Sequence, residues 1–150
     1  MLRIKYHVCF CLLAVFFAFF SHQLIGQPRL EWSDLTNISF MTYQDRTAGI
    51  AYMKPIFQEK VMKLNKQEIS ITGYMIPLDV EGYQYVLSAY PNASCFFCGG
   101  AGKESVIEIF LKNFDKRYEI DEIVTLKGVL ELNDGEMGLC YKLNEAEEVK

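Results

Sequence analysis

Beyond residue 26 the sequence contains no histidine; both of its histidines, His7 and His22, lie before that point. For the chain that follows, this absence excludes catalysis by an imidazole base, Ser-His-Asp or Cys-His nucleophiles, and any His-ligated metal or haem. Proline is scarce, four in 150 residues, with none after Pro91. Thioredoxin-like sites set a cis proline opposite a cysteine pair at a helix N-terminus, so one part of such a site is missing downstream of the cysteines. Basic residues are outnumbered. Beyond residue 26 there are 13 against 19 acidic ones, a net charge of −6, and an acidic surface repels phosphate backbones. No nucleic-acid partner is expected.

Charge is also absent from the apolar run Val8 to Phe20, which at 13 residues is too short for a spanning helix of roughly 20. Arg3 and Lys5 precede it, and Ser21, His22 and Gln23 close it. Basic, apolar and polar segments in that order predict a secretory signal peptide over residues 1–26, cleaved after Gly26, and therefore a periplasmic or secreted product that is not integral to a membrane. Leu24 departs from the small residue preferred before a cleavage site. Cys9 and Cys11 lack the small-residue context of a lipid-modified cysteine. The whole chain, 17.3 kDa with 51% apolar and 14% aromatic residues, has room for one compact domain and enough apolar surface to build its core.

The pattern divides the remainder into an N-terminal arm with a helix, residues 27–66, and a β domain, residues 67–150. Arg29 to Thr47 mixes Trp32, Leu35, Ile38, Phe40 and Tyr43 with polar residues, as expected of an irregular or short-strand arm. Pro55 opens a predicted helix in which Ile56, Phe57, Val61 and Leu64 share a face. From Ile69 the period becomes two: Ile69, Ile71, Gly73 and Met75 form a first strand that Pro77 stops. Tyr83, Tyr85 and Leu87 mark a second, Val106 to Leu111 a third, Ile123 to Leu132 a fourth, and Leu139, Tyr141 and Leu143 a fifth ahead of an acidic tail, Glu145 to Lys150. Lys112 to Asp121 is a polar connection with room for a helical turn, and Asn133 to Gly135 a tight hairpin turn. Five strands in this order, with glycine inside the first and fourth, predict a mainly β chain: a five-stranded OB-like Greek-key barrel preceded by a short helix. An open sheet or sandwich with the helix on one face is the alternative.

The residues with chemistry are Cys95-Phe96-Phe97-Cys98 and the following Gly99-Gly100. Two thiolates at this spacing can share a metal ion, and the same spacing permits a short disulfide ring. Cys140 is the third cysteine beyond the leader. In an OB topology the third and fifth strands pair in parallel, which brings the start of the fifth beside the loop carrying Cys95 and Cys98. A zinc site built on Cys95, Cys98 and Cys140 needs a fourth ligand, for which Glu104 and Glu136 are nearest in sequence. The alternatives are a Cys95–Cys98 disulfide with Cys140 inert, as suits an oxidising compartment, and a thiol–disulfide redox site with Cys95 as nucleophile and Cys98 as resolving thiol. A c-type haem site is excluded because Gly99, not histidine, follows Cys98.

Other conspicuous residues have plainer expectations. Tyr74, Tyr83, Tyr85 and Tyr90 fit either a stacking platform for a base or sugar or ordinary strand packing. Phe96 and Phe97 would anchor their loop, and Asp79 and Glu81 flank a turn. Asn92-Ala93-Ser94 matches a glycosylation sequon.

Taken together, Gly73-Tyr74-Met75-Ile76-Pro77-Leu78-Asp79, Tyr85-Val86-Leu87-Ser88, Cys95-Phe96-Phe97-Cys98-Gly99-Gly100 and Glu104-Ser105-Val106 resemble a family of small exported bacterial proteins of unknown function, of the Bacteroidetes type, which also carry a Trp-x-x-Leu segment like Trp32 to Leu35. The similarity covers roughly residues 32–144. It implies an OB-like periplasmic domain with no assigned reaction and, because some relatives accompany metal-ion transport systems, metal handling beside a periplasmic or membrane transport protein. Asparagine stands in the place of Cys140 in some relatives, so a three-cysteine site is not implied for all. The expectation is an exported, non-enzymatic binding or accessory protein that handles zinc through the Cys-x-x-Cys loop; a periplasmic thiol–disulfide protein using Cys95 and Cys98 is the alternative.

Overall fold

The computed structural model describes residues 29–45, 49–79, 84–135 and 138–149. The expected signal peptide, with Cys9 and Cys11, lies outside them. The chain runs through a one-turn helix α1 (Trp32–Leu35), strands β1 (Ile38–Asp45) and β2 (Ile50–Phe57), a second one-turn helix α2 (Glu59–Met62), and strands β3 (Glu68–Pro77), β4 (Tyr85–Ser88), β5 (Val106–Leu111), β6 (Glu122–Leu132) and β7 (Tyr141–Glu148).

Strands β3 to β7 close into a barrel in the order β3-β4-β5-β7-β6. All neighbours are antiparallel except β5 and β7, which run parallel with Glu108 opposite Lys142. This is the OB-like arrangement that the strand count and order predict. Alternation drives it: along β3, Ile69, Ile71, Gly73 and Met75 are buried while Ser70, Thr72 and Tyr74 are half-buried, so one face enters the core and the other stays at the surface. Leu87, Ile107, Leu126, Leu130 and Leu143, all fully buried, fill the same core. At Gly128 a Cβ would lie 2.6 Å from the Asn144 carbonyl oxygen, and the β6–β7 register shifts there. Glycine lets the two strands approach closely where the barrel wall bends.

Three elements differ from the sequence expectation. Pro55 lies inside β2, opposite Phe40, and not at a helix start; β1 and β2 form a separate two-stranded sheet in which both strands are edges, so a missing N–H is tolerated. The apolar set from Ile56 to Leu64 is shared between that strand and the single turn α2, whose Val61 is buried. The connection 112–121 holds no helix; Tyr118 instead anchors it, buried edge-on against Tyr85 with ring centroids 5.6 Å apart. The acidic tail is strand. Glu147 pairs with Lys127 across β6–β7, Ala146 is buried, and the Glu147 carboxylate bridges Lys112 and Lys127 at 2.6 and 3.2 Å.

Several bonds tie the segment before the barrel to it, among them a parallel bridge of Arg29 to Ser70 and two side-chain bonds at α1. Trp32 Nε1 donates to the Thr72 carbonyl at 2.8 Å, and Tyr141 Oη donates to the Leu35 carbonyl at 2.6 Å in a buried setting. These bonds hold α1 over one end of the barrel, beside the loop between β4 and β5.

Candidate functional site

The β4–β5 loop is built from three single 3-10 turns, Asn92–Ser94, Phe96–Cys98 and Lys103–Ser105. Cys95 is extended at the head of the second turn. Its carbonyl accepts the N–H of Cys98 at 3.2 Å and of Gly100 at 3.1 Å, so the chain doubles back and Cys98 lies near enough to Cys95 for the two thiols to interact electrostatically. Gly99 follows with φ +76°, a left-handed conformation that side chains disfavour. A glycine after the second cysteine is thus a requirement of the turn.

The two thiols face different surroundings. Cys95 is fully buried against Ile76, Val86 and Leu139, and its Sγ points to Asn92 Oδ1 at 3.9 Å. Cys98 is exposed. Its thiol is held above the ordinary range, first by partial desolvation and then by the charge of Cys95 and the hydrogen bond to it. The three described cysteines are free thiols.

Cys140 lies apart from this pair. The parallel β5–β7 pairing does bring its segment to the loop, because its neighbour Leu139 packs against Cys95. The Cys140 thiol, however, sits in the main core, where burial pushes its pKa up to about 11. Glu104 acts electrostatically on Cys140 and Tyr141, and its carboxylate folds back over Gly102. Among the described residues no three Cys, Asp, Glu or His side chains are grouped to hold a metal ion, so the loop offers two sulfurs from this chain. Glu136 lies outside the described residues.

The tyrosines do not form one platform. Tyr85 is buried and its hydroxyl accepts the Tyr118 N–H at 3.3 Å, Tyr74 is half-buried, Tyr90 is exposed, and Tyr83 lies outside the described residues. Phe97 is exposed with its ring 5.3 Å from Phe96, so it does not anchor the loop. Asp79 accepts the Gln84 N–H at 3.2 Å, as a turn residue does; Glu81 is not among the described residues. Asn92 donates its N–H to Asp121 at 2.7 Å.

Beside the cysteine turn is a cavity of about 140 Å³ between α1 and the glycine-rich strand of the loop, lined by Trp32, Tyr90, Gly102 and Glu104 among others. Its aromatic and acidic residues come from separate parts of the chain, and no local pattern connects them.

No family model and no curated protein matches the chain. Among solved structures it is similar to the crystal structure of a DUF3299 family protein from Pseudomonas aeruginosa, with a TM-score of 0.50 over 83% of this chain and 98% of that one, at 14% identity. At that identity the likeness is one of fold, and it supports the closed barrel with its N-terminal extension.

Proposed function

We propose that this chain is an exported, non-enzymatic OB-like accessory protein that takes a soft metal ion, zinc, at the paired thiols of Cys95 and Cys98. The observation that carries the reading is the closed turn itself: one carbonyl, that of Cys95, gathers two N–H groups, and Gly99 supplies the left-handed residue that ends it, so both cysteines belong to one short turn. Soft thiolates suit zinc over calcium or magnesium. Two sulfurs make half a tetrahedral site, which suits an ion handed to, or shared with, a periplasmic or membrane transport protein.

The redox alternative meets a chemical objection. A nucleophilic thiol is activated by a lowered pKa from a helix N-terminus or a nearby cation, whereas Cys98 is pushed the other way. Cys95, assigned the nucleophile on spacing alone, is the buried member of the pair. Its turn is three residues long, too short for an appreciable helix dipole.

Metal content of purified protein after zinc loading tests the reading. The parent and Cys140→Ser should retain one zinc and Cys98→Ser should lose it; equal zinc in parent and Cys98→Ser would overturn the assignment. Insulin reduction by the metal-free protein would favour the redox alternative.

A further inference from the structure

The cavity between α1 and the loop is distinct from the cysteine pair and is unusual in its chemistry. Among the described residues Glu104 is the one charged side chain that lines it, and its half-buried carboxylate makes no hydrogen bond or ion pair to another described residue. Lys103, next in the chain, does not line the cavity. Its oxygens stay open to water, since no buried side-chain oxygen among the described residues lacks a partner, and a cation entering the cavity would replace that water and meet a negative charge no described side chain neutralises. The hydroxyls beside it donate elsewhere: Ser105 Oγ to the Gly102 carbonyl at 2.7 Å and Thr36 Oγ1 to the Ser33 carbonyl at 2.8 Å. Both oxygens keep lone pairs that can accept. Two aromatic side chains complete the lining, Tyr90 half-exposed and Trp32 with its indole fixed by the bond to Thr72, and aromatic faces attract cations.

Gly102 makes room for this arrangement. A Cβ there would fall 2.3 Å from Glu104 Oε1, so any larger residue would displace the carboxylate. From the unpartnered carboxylate, the acceptor hydroxyls and the two aromatic rings, we propose that this cavity binds the ammonium end of a small alkylamine, with Glu104 as counter-charge and Trp32 and Tyr90 as walls.

The protein carries its own reporter, since Trp32 is the single tryptophan. Propylammonium titrated at constant ionic strength should change the Trp32 emission saturably, and 1-propanol, its neutral analogue, should not. Glu104→Gln and Gly102→Ala should each weaken binding by at least about tenfold, the order expected for losing a charged hydrogen bond, while unfolding with the parent's melting temperature to within a few degrees. Gly102 has an ordinary negative φ, so alanine is tolerated by the backbone. Cys98→Ser should bind the amine unchanged, which separates this site from the metal reading. No saturable change in the parent, a response equal to that of 1-propanol, or full affinity in folded Glu104→Gln would overturn the proposal.

Discussion

Cys98 is exposed, Cys95 is sealed beneath it and Cys140 sits in the core, and reactivity should follow that order. Under native conditions iodoacetamide should modify Cys98 alone, with Cys95 and Cys140 reacting only on unfolding; peptide mapping checks this, and labelling of Cys140 in the native state would contradict its placement. Cys140 also sets a pH dependence. Its thiol is raised in the folded chain from about 9 to about 11, so the folded state holds the proton more tightly than the unfolded one. Its contribution is fully present below pH 9 and is lost as pH rises towards 11, by up to about 2 kcal/mol. Urea denaturation at pH 8 and pH 10 should show a smaller loss for Cys140→Ala than for the parent. That Cys95 and Cys98 share one glycine-rich loop was legible in the sequence; that Gly99 must be left-handed there was not. Which sulfur meets solvent was not, because it depends on Ile76, Val86 and Leu139 arriving from three other segments.

At the scale of elements, the barrel strands were legible where alternation is clean, as in Ile69 to Met75, and obscured where polar residues are paired. The end of β7 shows why. Glu145, Glu147 and Glu148 look like a solvated tail, yet the backbone there pairs with β6 and Lys112, Lys116 and Lys127 meet the carboxylates. Those ion pairs are partly exposed and contribute little each; the strand is held by its backbone ladder and by buried Ala146. Accordingly Glu147→Gln should change stability by less than about 1 kcal/mol. Gly128→Ala, which forces a Cβ against the Asn144 carbonyl, should cost about 1–3 kcal/mol. Equal effects in chemical denaturation would show that the tail is held by charge. Pro55 misled for a related reason: proline suits a helix start and an edge strand alike, and only the pairing partner, Phe40, decides.

For the whole molecule, the barrel is the platform and the N-terminal segment decides what surrounds the loop. The inner end of the β1–β2 hairpin packs on the core through Ile38, Phe40 and Phe57, whereas Met41, Tyr43, Ile50 and Met53 further out are exposed. Replacing residues 43–52 by Asn-Gly, which suits a two-residue hairpin turn, should therefore alter barrel stability by no more than about 1 kcal/mol. Tyr141→Phe, which strips the Leu35 carbonyl of a buried partner, should cost about 1–2 kcal/mol and loosen α1. The barrel was legible because strand order fixes it, but the cavity was not: Trp32, Tyr90 and Glu104 are brought together by the bonds that dock α1. The central claim, a metal ion held by Cys95 and Cys98, is tested most directly by the intact mass of the chain beginning at Gln27, measured natively and again after denaturation without reductant. One additional zinc in the native mass, lost on denaturation to leave three free thiols, is the predicted result. A mass short by two hydrogens in both states would mean a Cys95–Cys98 disulfide and would contradict it.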